Sequence, residues 1–247
     1  MTAPSRKSPV SQQIYRKHIQ LFRFLNDAWI FTHLLRPDLD SKATELRNST
    51  SKKRNLYTVP KRRAMIGSLR TDQDLGDVFR AQCDRCIFET NIVSVISRVE
   101  AFLQDCLAIV ITHHPGKLAI LGDKGIPLDL FLEHPSRDDL LEAIIALRCQ
   151  ELLFAKPKDY LSKLCKVLSI EIREDILDHF IEAKASRDVI IQNRGAINKL
   201  YIEKAGTKAR GQVGKELVID EQYFSDLIEN TKLLSGAIQR ETEKKYK

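Results

Sequence analysis

The chain has 247 residues, of which 43% are hydrophobic and 30% are charged, so it is long enough and apolar enough to fold around one sizeable core. No apolar run approaches the roughly 18 residues that a membrane-spanning helix needs, and the first residues lack the apolar centre of a secretory signal. The five cysteines are odd in number and scattered, which argues against a disulfide framework. We therefore expect a cytoplasmic protein with no membrane partner.

The N-terminal part of the chain is predicted to be a helix followed by a linker. Residues 1–10 have the composition of a flexible tail, and apolar residues at three- and four-residue steps then predict a helix over residues 11–35. Residues 36–75 break this pattern with two prolines, a glycine and basic residues, and no convincing hairpin is visible in them. Residues 1–75 are thus predicted to be an N-terminal helix plus a basic linker.

The basic character of the chain is local. The net charge is +7, and residues 41–63 contain eight basic residues against one acidic residue, a difference that equals the whole excess. A local basic segment suits a polyanion such as nucleic acid, and a solvated linker without a partner explains it equally well. The residues of this segment that we consider for RNA binding are Lys52, Lys53, Arg54, Lys61, Arg62 and Arg63.

The rest of the chain, residues 76–247, is predicted to be helical. The longest helix covers about 77–112, and its apolar face is wide enough to contact more than one neighbour. The other predicted elements are a short helix at 128–133, a helix capped by Ser136, a helix from Pro157 to about Leu168, a helix over 171–204 that Gly195 kinks or divides, a loop at 206–218 and a last helix at 220–245. The fold class is therefore all-α, a helical bundle with an N-terminal helical extension.

A lone C-x-x-C pair, Cys83 and Cys86, is the only metal-like spacing in the chain. A zinc site needs a second cysteine pair or histidines at ligand spacing, and a redox site needs a strand–turn–helix context. Neither is present, so we interpret the pair as a chance occurrence. We expect no metal and no cofactor.

Residues 186–206 carry the most unusual sequence, with polar residues inserted between apolar ones. Asn193, Gly195 and Asn198 fall within six residues of each other, although asparagine and glycine are poor helix-interior residues, glycine by roughly 1 kcal/mol relative to alanine. Either these residues bind something, or they allow close packing against a second helix.

The order of these residues resembles the HEPN superfamily, and within it the RiboL-PSP-HEPN and related groups. The signature is arginine, a polar residue, three mostly apolar residues, histidine, asparagine, any residue and glycine. The resemblance covers about residues 80–240. The matching residues here are Arg187, Asp188, Val189, Ile190, Ile191, Gln192, Asn193, Arg194 and Gly195, followed by Asn198 and Tyr201.

The resemblance implies a HEPN-like helical bundle related to metal-independent endoribonucleases of toxin–antitoxin and defence modules. It makes Arg187, Asp188, Gln192 and Asn193 the catalytic positions and adds Arg194 and Asn198 as RNA-binding residues. Gln192 stands where the family has its catalytic histidine, and glutamine cannot exchange a proton near neutral pH. The family also dimerises so that two motif helices line one cleft. This implies a homodimer, since Arg187 and Gln192 point about 140° apart on one straight helix.

Three functional hypotheses follow. The first is a degenerate HEPN protein that binds RNA or has a regulatory role and cleaves RNA weakly or not at all. An antitoxin or another protein is a possible further partner in this hypothesis. The second is an active endoribonuclease that uses Arg187 with a substitute base such as His179. The third is a structural module whose long helices bind a protein partner.

Overall fold

The computed structural model describes residues 9–60, 67–122, 125–134, 136–153 and 155–247, which form an all-α bundle, as the sequence predicts. Two short strands, β1 (Asn55–Tyr57) and β2 (Ser68–Arg70), accompany the helices. The helices are α1 (Pro9–Arg47), α2 (Asp72–Ala81), α3 (Ile87–His113), α4 (Leu118–Leu121), α5 (Leu128–Glu133), α6 (Arg137–Leu153), α7 (Pro157–Leu168), α8 (Glu174–Asn193), α9 (Lys199–Ala205) and α10 (Glu221–Lys245).

The helix α3 is the centre of the bundle. It packs against α1, α6, α7, α8 and α10, so its apolar face meets several neighbours, as its width predicts. Val95, Phe102 and Ile109, which widen that face, are at most 9% exposed within the single chain. Because the chain covers this face itself, the face gives no reason to expect a second subunit.

The predicted linker over 36–75 is wrong at both ends. The helix α1 continues through Pro37 to Arg47, and α2 begins at Asp72. Tertiary packing explains the continuation, because α1 and α2 approach so closely that a Cβ on Gly76 would overlap the Arg47 side chain. Ala43, which follows the proline in α1, is fully buried at this crossing.

A capping box starts α2 and explains why the helix begins before the predicted residue 77. The Thr71 side chain accepts from the backbone N–H of Asp74 at 3.1 Å, and the Asp74 carboxylate accepts from the backbone N–H of Thr71 at 2.8 Å. The hydrogen bond from the backbone N–H of Thr71 to the Asp74 carboxylate lowers the pKa of that carboxyl. A single π-helical turn, Gln82–Cys86, joins α2 to α3 and contains both cysteines of the C-x-x-C pair.

The N-terminal helix belongs to the same hydrophobic core as the rest of the bundle. Ile14 and Leu25 are fully buried in one cluster with residues of α3, α8 and α10. The start of α1 lies at the end of α10, because the Ser11 hydroxyl donates to the Tyr246 carbonyl at 2.7 Å. Further along α1, Asn26 accepts a hydrogen bond from Lys232, in the middle of α10, at 2.6 Å. The helix α1 therefore lies antiparallel to α10 and closes the bundle.

The prediction that the chain contains no hairpin is also wrong. The strands β1 and β2 pair antiparallel within the predicted linker. Each has only three residues, which is too short for an alternating pattern to stand out in the sequence.

The remaining boundaries agree well with the sequence. The helices α5, α7 and α10 match the predicted ranges within a residue, and the Ser136 hydroxyl accepts from the backbone N–H of Asp139 at 3.1 Å, as the predicted cap requires. The predicted helix over 171–204 is divided into α8 and α9 next to Gly195. In the part of the chain that the structure describes, no helix combines the length and apolar character needed to cross a membrane.

Candidate functional site

A cleft of about 740 Å³ lies between α8, α9, the start of α7 and the middle of α3. It contains three of the four residues that the resemblance makes catalytic, Arg187, Asp188 and Gln192. We refer to it as the α8 cleft, and its lining residues are Glu100, Ala155, Lys156, Pro157, Lys158, Asp159, Lys184, Arg187, Asp188, Gln192, Leu200, Glu203 and Lys204.

Arg187 and Gln192 share this cleft although they point in different directions from α8. The start of α7 lines one side of the cleft and α9 lines another, so the cleft extends over more than one face of α8. The single chain therefore brings the two positions together, and a second motif helix is not needed to do so. Neither the wide face of α3 nor the directions of Arg187 and Gln192 therefore supports the homodimer predicted from the sequence. The homodimer stays a prediction.

The guanidinium of Arg187 is held by an acidic residue of α3. Its Nη2 donates to both carboxylate oxygens of Glu100, at 3.1 and 3.2 Å, and Lys184 donates to the same carboxylate. Arg187 Nε is buried and lies 3.3 Å from the Asp188 carboxylate, but at an angle that makes no hydrogen bond. Glu100 thus fixes the two basic residues of α8 that line the cleft.

Asp188 connects α8 to α9. Its carboxylate accepts from the Lys204 ammonium at 3.0 Å, and its other oxygen faces Arg187. Charges of opposite sign therefore follow each other from Lys184 through Glu100, Arg187 and Asp188 to Lys204. Such a chain orders the long side chains of the cleft and holds α9 against α8.

Gln192 is exposed, and none of the described residues that line the α8 cleft is a histidine. An amide donates and accepts hydrogen bonds but does not take up or release a proton near neutral pH. The cleft therefore offers charge and hydrogen bonds, and Gln192, at the position where the resemblance leads one to expect a histidine, offers no proton transfer.

Asn193 and Gly195 form the end of α8 and do not line the cleft. Arg194 and Gly195 both have positive φ, 52° and 82°, and the Asn193 side chain donates to the Ala196 carbonyl within this turn. Arg85 donates to the Arg194 carbonyl at 3.4 Å, and a Cβ on Gly195 would overlap the Arg85 guanidinium. The positive φ of Gly195, a conformation that side chains disfavour, accounts for this glycine, because the Arg85 guanidinium is the end of a flexible side chain that can move.

Asn198 and Arg194, the predicted RNA-binding residues of the motif, also lie outside the cleft lining. The Asn198 side chain caps α9 by accepting from the backbone N–H of Tyr201 at 2.8 Å. The Arg194 side chain is exposed beyond the end of α8. Asn193 and Asn198 thus have structural roles that need no ligand.

A second polar cluster, which the sequence analysis missed, surrounds the buried carboxylate of Glu182. This carboxylate accepts from Ser186 at 2.6 Å, Tyr201 at 2.9 Å, Tyr223 at 2.9 Å and Arg210 at 3.0 Å. Burial raises the pKa of both tyrosines, and the negative charge of Glu182 raises it further. The cluster ties α8, α9, the loop after α9 and α10 together, and only the spacing of Glu182 and Ser186 signals it in the sequence.

The substitute base considered from the sequence, His179, lies in a different cavity. It lines a space of about 420 Å³ with Lys208, Arg210 and Tyr223, and its Nε2 is 3.2 Å from the Lys208 ammonium. No described residue lines both this cavity and the α8 cleft. A mechanism that pairs Arg187 with His179 in one chain therefore lacks a common site.

The basic segment is partly described. Lys52, Lys53 and Arg54 are exposed and lead into β1. The other three predicted RNA-binding residues, Lys61, Arg62 and Arg63, lie outside the described residues.

No group of three or more histidine, cysteine, aspartate or glutamate side chains suited to a metal ion occurs among the described residues, and the five cysteines are unpaired thiols. The chain matches no protein-family model, no curated protein and no solved structure.

Proposed function

We propose that this protein binds single-stranded RNA in the α8 cleft and cleaves it weakly or not at all, as a degenerate relative of the HEPN ribonucleases. The observation that carries the proposal is the convergence of Arg187 and Gln192 on one cleft with four lysines, Lys156, Lys158, Lys184 and Lys204. The resemblance further suggests a toxin or defence module, with an antitoxin as its protein partner.

The charges of the cleft suit a phosphate backbone. Five basic residues line it against four acidic ones, and Lys156 and Lys158 have no ion-pair partner among the described residues. These two lysines are exposed at the rim, where an RNA strand first arrives. Deeper in the cleft, the planar guanidinium of Arg187 has the geometry to bind a phosphate. Its hydrogen bonds would then be divided between that phosphate and the Glu100 carboxylate.

The chemistry of the cleft supports binding more than cleavage. Attack of a ribose 2′-hydroxyl on the adjacent phosphate needs a base, and protonation of the leaving oxygen needs an acid. Gln192 supplies neither. The two neighbouring carboxylates that contact Arg187, those of Glu100 and Asp188, are each engaged with basic side chains.

The binding experiment compares the wild type with Arg187→Ala on a labelled single-stranded RNA. We expect at least about tenfold weaker binding, equivalent to about 1.4 kcal/mol, because the substitution removes a charge-assisted hydrogen bond to phosphate. Arg187→Lys keeps the charge without the fork and should fall between the two. Arg173→Ala is the matched control, since Arg173 directly precedes α8 and its side chain is 72% exposed outside the cleft. Equal affinity of Arg187→Ala and the wild type would refute the proposal.

A further inference from the structure

The two-stranded ribbon, residues 55–57 and 68–70, stands apart from the core of the protein. None of its residues belongs to the hydrophobic core, and residues 50–60 are exposed except for the half-buried Asn55. Its base is well anchored, because the Ser49 hydroxyl donates to Asp72 at 2.5 Å and the capping box of α2 follows directly after β2. The ribbon is therefore held at one end and accessible along its length.

The pairing of the strands gives the ribbon two different faces. Residues directly opposite each other in an antiparallel pair project to the same side. Leu56 faces Leu69 on one side, and the Leu56 side chain crosses Gly67, where a Cβ would overlap it. The other side is polar, and its residues are Asn55, Tyr57, Ser68 and Arg70.

Tyr57 has an open ring on the polar face. Its partner across the ribbon is Ser68, whose small side chain cannot cover an aromatic ring, and Tyr57 is 40% exposed. Arg70 is its diagonal neighbour, at a distance that long side chains reach. An exposed aromatic ring beside a guanidinium is the combination with which proteins hold single-stranded nucleic acid, by stacking on a base and pairing with phosphate.

The ribbon also carries an excess of positive charge. The described residues 50–60 and 67–71 include four basic residues, Lys52, Lys53, Arg54 and Arg70, and no acidic one; Asp74 follows at the base of the ribbon, near enough to Arg54 and Arg70 for their charges to lower the pKa of its carboxyl. Within the described parts of the chain, no hydrogen bond or ion pair engages these four side chains, whereas three of the five basic side chains of the α8 cleft are paired with carboxylates.

We propose that the polar face of the ribbon is a second binding surface for single-stranded RNA, on which Tyr57 stacks on a base and the four basic residues contact the flanking phosphates. The inference rests on the proposed function for its ligand class, but it uses no residue of the α8 cleft. It adds base stacking, and not charge alone, to what the basic segment contributes.

The experiment measures binding to two strands, an oligouridine of about 15 nucleotides and an abasic strand of the same length and charge. A strand of this length is long enough for one to a few single-strand binding surfaces. The abasic strand keeps the phosphates but has no bases to stack. Tyr57→Ala should weaken binding to oligouridine by at least about fivefold, the lower end of the range for removal of one stacked base, and should leave binding to the abasic strand unchanged. Tyr57→Phe should bind like the wild type, because the ring remains. Leu69→Ser changes the opposite face and should also bind like the wild type.

The charge contribution is separated by salt dependence. Replacing Lys52, Lys53, Arg54 and Arg70 with glutamine should lower the slope of log affinity against log salt by about 0.7 for each phosphate that the protein no longer neutralises. The matched control replaces four exposed basic residues near the other end of α1 and near the end of α10, Arg16, Arg23, Lys245 and Lys247, and should change the slope less.

The outcomes distinguish the two proposals. Weaker binding by Arg187→Ala with no effect of Tyr57→Ala overturns the ribbon surface and leaves the cleft proposal intact, and the reverse pattern does the opposite. An equal decrease for Tyr57→Ala on both strands overturns base stacking. Binding to vesicles rich in anionic lipid that depends on Leu56 and Leu69, without binding to RNA, would assign the ribbon to a membrane surface and overturn both proposals.

Discussion

Arg187 and Glu100 form a two-point contact in which one guanidinium nitrogen lies 3.1 and 3.2 Å from the two carboxylate oxygens. Lys184 shares the same carboxylate, and the Glu100 side chain is only 15% exposed. In the unbound protein, therefore, an internal carboxylate occupies the arginine that a phosphate would need. Glu100 orders the cleft and competes with its proposed ligand.

This competition predicts that Glu100→Gln binds RNA more tightly. The substitution removes a negative charge next to Arg187 and Lys184, and we expect an affinity gain of about two- to tenfold at low salt, together with a steeper salt dependence. The same change should lower the free energy of unfolding by about 1–3 kcal/mol, because two partly buried cations lose their partner. Titrations of RNA binding and urea unfolding measure the two effects.

Glu203→Gln provides the control for that comparison. Glu203 lines the same cleft, but it is exposed and has no ion pair among the described residues. The Glu203→Gln substitution should raise RNA affinity less than Glu100→Gln does, and it should leave the free energy of unfolding nearly unchanged. Tighter binding by Glu203→Gln than by Glu100→Gln would show that net charge matters and the Arg187 contact does not.

Gln192→His is predicted to raise RNA cleavage above a weak wild-type level. General acid–base catalysis typically contributes about 10² to 10⁴ in rate, so restoring a titrating group should be visible. A histidine that acts as a base works only when neutral, so cleavage should increase as the pH rises through about 6.5. The measurement is the cleavage rate of one labelled RNA with a chelator present.

The double variant Gln192→His with Arg187→Ala tests whether this gain uses the cleft. We expect the gain to disappear, because Arg187 positions the phosphate. If the wild type already cleaves strongly and keeps its activity in Arg187→Ala, the degenerate-site hypothesis is wrong. Loss of wild-type cleavage in His179→Ala alone would instead move the chemistry to the smaller cavity.

Gly195→Ala is predicted to destabilise the fold by about 1–3 kcal/mol. Gly195 has a φ of 82°, which disfavours side chains, and a Cβ would displace the Arg85 guanidinium from the turn. Gly116→Ala is the control, since a Cβ at that position meets nothing within 4 Å. Urea unfolding of the two variants measures the difference, and equal stabilities would mean that the backbone conformation at position 195 does not require glycine.

The Glu182 cluster predicts a decrease in stability at alkaline pH. The pKa values of Tyr201 and Tyr223 are raised above the ordinary value of 10.0 in the folded protein. Above pH 10 the unfolded chain therefore releases protons that the folded chain retains, so the free energy of unfolding falls as the pH rises further. The double variant Tyr201→Phe with Tyr223→Phe should show a weaker decrease between about pH 9 and about pH 11, measured by urea unfolding. An identical decrease in both proteins would contradict this assignment.

The sequence alone determined the helices whose signals are local. Apolar residues at three- and four-residue steps fixed α3, a serine cap fixed the start of α6, and Gly195 marked the division between α8 and α9. These features depend on contacts within a few residues, so one sequence is sufficient to recognise them. The same local order carried the resemblance that led to Arg187 and Gln192.

Only the tertiary structure decided which of these residues meet. The extension of α1 through Pro37 depends on its crossing with α2, and the pairing of Arg187 with Glu100 joins residues 87 positions apart. The structure also separated Asn193 and Asn198, which stabilise the chain locally, from Arg187 and Gln192, which line the cleft. Such contacts between distant residues depend on how the helices pack, and periodicity along the chain carries no information about them.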